Sequence, residues 1–151
     1  MNKSKGNTLS LSKGFTIIEL IVVIAIIAVL ASIVLVNVTQ YIAKGKNSAI
    51  KGDMSTIITN AAIFYDDNSS TYTGFSATTD YTNPADGVTS NGGTISNAIK
   101  ADGSAFCACS TMNITNSEPT GTTYCVDTNG NKRQTTTDCA TECAADTALC
   151  L

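Results

Sequence analysis

Histidine is absent from all 151 residues. That excludes an imidazole general base, a Ser-His-Asp triad and any His-ligated metal centre. Basic residues are scarce beyond Tyr65, where only Lys100, Lys132 and Arg133 stand against many aspartates. Nucleic-acid binding runs on neutralising phosphates with Lys and Arg, so this part is poorly built for it as a single subunit. Large aliphatic side chains thin out in the same place. Residues 15–65 hold most of the Ile, Val and Leu, whereas residues 66–151 are rich in Thr, Ser, Asn, Gly and Asp. So small and leucine-poor a part needs a helix to pack on, or covalent staples. No glycine-rich phosphate loop precedes a helix, because Gly92-Gly93 reads as a turn. Asp66-Asp67 reads as a charged helix end and not as a carboxylate pair for acid–base work. There is no internal repeat or heptad run. These absences leave no catalytic constellation, and no cofactor is expected.

What is present begins with an apolar run. Gly14-Phe15-Thr16-Ile17-Ile18-Glu19-Leu20 opens a stretch that stays apolar to Val36, and Glu19 is its one ionisable side chain. An unpaired carboxylate in a bilayer costs roughly 2.5–3.5 kcal/mol even on lenient insertion scales. A plain anchor would gain by replacing it. The run is about 21 residues, close to the roughly 20 that span a membrane, and no proline interrupts it. Lys3, Lys5 and Lys13 precede it and mark the cytoplasmic side. Two simpler readings compete: a signal anchor with Glu19 near the interface, and a secretory signal cut near Val29-Leu30-Ala31. The run is long for a secretory h-region of about 7–15 residues.

Beyond the run the pattern turns amphipathic without a breaker. Val38, Ile42, Ile50, Met54, Ile57, Ile58, Ala61 and Tyr65 fall on or near one helical stripe, with Lys44, Lys46, Lys51 and Asp53 off it. This predicts one helix over 15–65, roughly 75 Å long, ending in the turn formers Asp66-Asp67-Asn68-Ser69-Ser70. A loop is expected to about Gly93, with Asn83-Pro84, Asp86-Gly87 and Asn91-Gly92-Gly93 as turn signals. Strands are expected over 104–112, 122–128 and 131–136, the last two joined by a type I′ turn at Asn129-Gly130. Asp127-x-Asn129-x-Asn131 superficially resembles a calcium loop, but its Gly and distal Glu are misplaced and a hairpin explains it better.

Six cysteines crowd the last third: Cys107, Cys109, Cys125, Cys139, Cys143 and Cys150. An even number beyond a membrane segment, opposite the lysines, predicts disulfides in an oxidising compartment. Three bridges allow fifteen pairings. Cys107 and Cys109 share one strand face, with Phe106 and Ala108 on the other, so they should bond to different partners. Cys125, on the strand expected next to theirs, is the candidate for one of them. Asp138 is placed to cap a short helix carrying Cys139 and Cys143 one turn apart. The fold class is α+β: a long N-terminal helix packed on a small, stapled antiparallel sheet. The expected organisation is a leader over 1–14, a membrane and assembly helix over 15–36, its amphipathic continuation over 37–65, and an exported head over 66–151.

A basic leader, Gly14, Phe15 and Glu19, all at the head of a membrane helix, resemble the signature of type IV pilins and pseudopilins. The match covers Gly14 to about Tyr65. It implies a structural filament subunit and not an enzyme, held first as a single-pass inner-membrane protein with a cytoplasmic N-terminus. It implies cleavage after Gly14 by a prepilin peptidase, N-methylation of Phe15, and pairing of Glu19 with the terminal amine of a neighbouring subunit. The partners implied are other copies or related pilins, the prepilin peptidase, the inner-membrane assembly machinery and the lipid bilayer, with no specific nucleic acid. The alternatives are a type II secretion pseudopilin and a membrane-tethered extracellular binding module. Where many pilins carry a proline near the end of the apolar run, this chain has Val34-Leu35-Val36-Asn37.

Overall fold

The computed structural model describes residues 14–150, apart from the side chains of residues 35–37. The leader over 1–13 and Leu151 lie outside the described residues. Helix α1 runs Ile17–Asp67. The chain divides into two units, Met1–Asn37 and Val38–Leu151.

In the first unit every described side chain is exposed, including Ile17 at 77%, Ile24 at 56% and Leu30 at 58%. Each such aliphatic side chain left in water forgoes about 1.5–3 kcal/mol. The segment is long and apolar enough to cross a membrane.

The second unit is built on α1, a helix α2 over Thr79–Ser90, and a four-stranded antiparallel sheet. Its strands are β1 (Ile95–Ile99), β2 (Phe106–Thr111), β3 (Thr123–Asp127) and β4 (Lys132–Thr135), neighbours in that order. A one-turn helix, α3 (Cys139–Glu142), follows. The expected α+β fold and its helix-then-sheet order stand.

The stripe on α1 packs as its period predicts at Ile50, Met54, Ile57 and Ala61, all fully buried. They meet Tyr81, Ala85 and Val88 of α2, Phe106 and Ala108 of β2, and Val126 of β3. Phe75 sits at the centre, edge-on to Phe106 at 5.1 Å and to Tyr81 at 5.8 Å. Such pairs add about 0.5–1.5 kcal/mol to area burial. Two stripe members are corrected. Val38 and Ile42 remain 44% and 55% exposed.

The loop expected up to Gly93 is corrected too. It contains a 3-10 turn at Phe75–Ala77 and then α2, with Pro84 inside it. A mid-helix proline removes the bond to the carbonyl four residues back, here Asp80. Asn60 of α1 donates to that carbonyl instead, at 2.7 Å. Gly87 has an equally local reason. A Cβ there would lie 2.6 Å from Asp53 Oδ2, so glycine lets α2 approach α1. Both residues read as turn formers in sequence, and both are accommodated by α1. Strand β1 was not expected; its burial is partial and does not alternate.

Asn129-Gly130 does not form a type I′ turn, which needs positive φ at both central residues. Among the described residues the non-glycine positive φ values are those of Ser69, Ser70 and Ala148. Gly130, at φ 87°, closes a three-residue loop in which its N–H donates to Asp127 O at 3.1 Å. The Asp127 carboxylate selects this loop. It is fully buried and accepts from Asn129 N, Asn131 N, Asn131 Nδ2 and Cys150 N at 2.7–3.0 Å. Filled by N–H donors, it is no cation site.

A polar clamp ties the 113–118 loop to α1. Asn47 lies in the apolar stripe yet is 1% exposed. Its Oδ1 accepts from Asn113 N at 2.8 Å, and its Nδ2 donates to Asn113 O at 2.9 Å and Glu118 Oε2 at 2.7 Å. Glu118 also accepts from Thr115 Oγ1 at 2.9 Å and pairs with Lys51 at 3.1 Å. Burial raises the Glu118 pKa, but the hydrogen bonds from Asn47, Lys51 and Thr115 more than offset it. The net position is below the ordinary carboxylate value.

A depressed folded-state pKa stabilises the fold above the unfolded-state value of about 4.3, and that stabilisation is lost as pH falls through the folded value. Glu118→Gln should therefore flatten the acid limb of the stability curve below about pH 4.3 while lowering stability at neutral pH. Urea unfolding of the full chain in detergent micelles from pH 2 to 7 measures this. Parallel acid limbs for the two proteins would refute the assignment to Glu118.

Candidate functional site

Two regions carry residues that the sequence singles out. The first is the start of α1. Gly14, Phe15 and Thr16 are non-helical and exposed, so the Gly14–Phe15 peptide lies in open chain ahead of the helix. Helix formation begins at Ile17 for a local reason. Thr16-Ile17-Ile18-Glu19 has the spacing of a capping box, in which the first and fourth residues satisfy each other's backbone N–H. Thr16 N donates to Glu19 Oε2 at 2.8 Å, and Glu19 N donates to Thr16 Oγ1 at 3.3 Å. Thr16 Oγ1 also donates to Glu19 Oε2 at 2.7 Å.

Thr16 is thus the site residue that attention to Glu19 alone misses, although its T-x-x-E signal stands in the sequence. Glu19 lies in the first turn of α1, where the helix macrodipole favours an anion. Both bonds to the carboxylate fall on Oε2, which leaves Oε1 without one among the described residues. The carboxylate is therefore held at the helix start with one oxygen open, within a few residues of the Gly14–Phe15 junction.

The second region is the cysteine layer. The structure pairs Cys107 with Cys143, Cys109 with Cys139, and Cys125 with Cys150, at Cα separations of 5.8, 5.3 and 5.9 Å. Cys107 and Cys109 do bond to different partners, and neither partner is Cys125, which corrects that expectation. Cys109 and Cys125 stand directly opposite in the β2–β3 register. Side chains on a sheet stand roughly perpendicular to it, so the two thiols point in parallel. Each is met by the segment that lies over that face. Asp138 caps α3, accepting from Thr141 N at 3.0 Å, and so sets Cys139 and Cys143 one turn apart. Four residues of helix rise about 6 Å and two residues of strand about 6.6 Å. The pair on α3 therefore matches the pair on β2, with the helix antiparallel to the strand. Glu142 is buried beside them, with Arg133 Nε 3.8 Å from its Oε2.

Comparison with known proteins locates the likeness at the N-terminus. A family model described as the prokaryotic N-terminal methylation motif matches residues 9–35. The type IV major alpha-pilin of Moraxella bovis is 44% identical over 54 residues, which are 34% of this chain and 34% of that protein. The chain thus matches about a third of the length of that curated relative. No solved structure matches the chain. The resemblance to the type IV pilin family, read from Gly14, Phe15 and Glu19, stands on these two matches.

Replacing Thr16 removes half of the capping box. Ser, Thr, Asp or Asn caps contribute typically about 1 kcal/mol to a helix. Thr16→Val should raise amide exchange over residues 17–20 several-fold in micelles, while Thr16→Ser should leave it near wild type. Equal exchange in all three proteins would mean that the box does not hold the helix start.

Proposed function

We propose that this chain, type IV pilin-like at its N-terminus, is a structural subunit of a type IV pilus filament. Before assembly it spans the inner membrane through α1, with its N-terminus cytoplasmic. A prepilin peptidase cuts after Gly14, Phe15 becomes the methylated N-terminus, and assembly machinery packs α1 among copies of itself. The observation that carries this reading is the capped carboxylate of Glu19, held open-handed at the head of an apolar helix that also bears the methylation motif. A membrane anchor needs the apolar run and gains nothing from that charge.

The chemistry of assembly follows from the charge. Cleavage exposes an α-amine with an ordinary pKa of about 7.7–8.0, so it is largely cationic at neutral pH. A neighbour's amine fits the open Oε1 of Glu19. In low dielectric such a pair is strong, and deleting one partner of a buried pair typically costs roughly 3–5 kcal/mol. A subunit displaced by one turn would leave both charges unpaired in an apolar surround. The aliphatic surface from Ile17 to Val34 thus supplies attraction, and the ion pair supplies register. The second reading, a type II secretion pseudopilin, uses the same N-terminus. It predicts a periplasmic assembly, where the pilus reading predicts surface filaments that vanish on deletion.

Intact mass of the purified protein should correspond to a chain starting at Phe15 with one added methyl. A retained Met1, or a start near Ser32, would end the pilin reading. Glu19→Ala should insert into the membrane at least as well as wild type, because a charge has left the span, yet yield at least tenfold fewer filaments. Wild-type filament yield from Glu19→Ala would refute the register role.

A further inference from the structure

We propose that the head acquires its native disulfides with the help of a specific class of partner, a dithiol disulfide isomerase. The inference rests on the reading above only in placing residues 66–151 in an oxidising compartment.

The connectivity is the first ground. In chain order the native bonds join the first cysteine to the fifth, the second to the fourth and the third to the sixth. None joins sequence neighbours, and the Cys125–Cys150 bond crosses both of the others. The native loops span 36, 30 and 25 residues, whereas Cys139 and Cys143 are four apart. Closure probability falls as about the three-halves power of loop length, so closing the short loop is favoured roughly 20-fold over the Cys109–Cys139 loop. Cys107 and Cys109 are closer still. The sheet adds its own wrong candidate by setting Cys109 opposite Cys125.

The second ground is that little else guides the pairing. The buried layer on this face consists of Cys107, Cys109, Cys125, Cys143, Cys150 and Ala148. No large aliphatic or aromatic side chain in it draws residues 138–150 onto the sheet. Noncovalent ties are few: Cys150 N to Asp127 at 2.8 Å, Thr123 Oγ1 to Thr137 O at 2.7 Å, and Arg133 near Glu142 at 3.8 Å. Reversing α3 would exchange the partners of Cys107 and Cys109, and besides the cysteines the layer offers only the alanines Ala98, Ala105 and Ala148 to oppose that swap. On the other face, packing selects the fold. On this one the bonds themselves must be selected by trial.

The chemistry balances without further oxidation. A thiol-oxidising enzyme of the compartment removes two electrons and two protons for each disulfide, including wrong ones. An isomerase thiolate then attacks one sulfur of a wrong bond, forms a mixed disulfide and releases the other sulfur as a thiolate. A cysteine thiolate of this chain attacks its new partner and finally displaces the isomerase, which leaves as the thiolate that entered. In the native layer Cys107, Cys109 and Cys125 are fully buried and Cys139 is half-buried, so each bond has at least one sulfur shielded from attack and exchange slows there.

The test reoxidises the reduced full chain in detergent micelles with reduced and oxidised glutathione, with and without a purified disulfide isomerase. Non-reducing peptide mapping reads the products. With the enzyme, the three native links should dominate. Without it they should form about tenfold more slowly, behind peptides linking Cys139–Cys143, Cys143–Cys150 or Cys107–Cys109. The paired variant Cys125→Ala/Cys150→Ala removes the crossing bond and makes Cys109–Cys139 a link between neighbours, so its dependence on the enzyme should fall at least threefold. Native links at equal rates without the enzyme, or unchanged dependence in the variant, would overturn the proposal. Six free thiols in the protein taken from cells with an intact oxidase would refute export instead, whatever the micelle result, and with it the partner's role in cells.

Discussion

A sheet has two faces to cover, and this chain has large apolar side chains for only one of them. Ile50, Met54, Ile57 and Ala61 of α1 and Tyr81, Ala85 and Val88 of α2 meet Phe106, Ala108 and Val126. That face is an ordinary hydrophobic core. The opposite face offers sulfur and alanine. The alternation of strand β2, Phe-Cys-Ala-Cys, places the two solutions back to back. Everything C-terminal to β4 depends on this division, because α3 has a single turn and no core of its own. Removing one native disulfide from a small secreted domain typically costs about 2–5 kcal/mol, and here all three serve one layer.

The N-terminal segment answers to a different constraint. Apart from Glu19 and Ser32 its side chains are apolar, and all are exposed from Ile17 to Val34, which is the pattern of a helix suited to an apolar surround. Within that demand Glu19 is tolerable only at the helix start, where Thr16 and the open end of the helix engage it. One turn further in it would lose both. The same geometry that makes the charge bearable in a lone chain leaves an oxygen for a second one.

What the sequence made legible depended on how local the cause was. The α1 stripe is visible because its period is internal, and the Asp138 cap because donor and acceptor lie three residues apart. The part played by Asn47 was not legible, because its partners, Asn113 and Glu118, stand 66 and 71 residues away. Helix α2 was hidden by Pro84 and Gly87, and what reconciles them with a helix is Asn60 and Asp53 on α1. At the hairpin the dipeptide Asn129-Gly130 suggested one turn, while the buried Asp127 carboxylate, bonded to Asn131 and Cys150, imposed another. Val38 and Ile42 satisfy the period but have no facing surface in the second unit. For the cysteines, spacing shows which thiols share a face, but it cannot choose partners among fifteen pairings. At the candidate site the Glu19 signal was legible as a charge out of place, while its Thr16 partner went unread although the T-x-x-E spacing of a capping box stands in the sequence.

The crossed bridges also set how far the head can be drawn out under load. A fully extended chain spans about 3.3–3.6 Å per residue, so an unbridged stretch from Cys107 to Cys150 would pay out roughly 150 Å under tension. With Cys107 joined to Cys143, the shortest covalent path between those ends crosses one bridge and seven residues, roughly 30 Å. Pulling between α1 and the C-terminus can unravel α2 and β1, but the region from β2 onward behaves as a closed link. The three bonds make it nearly inextensible, whether or not its noncovalent contacts survive.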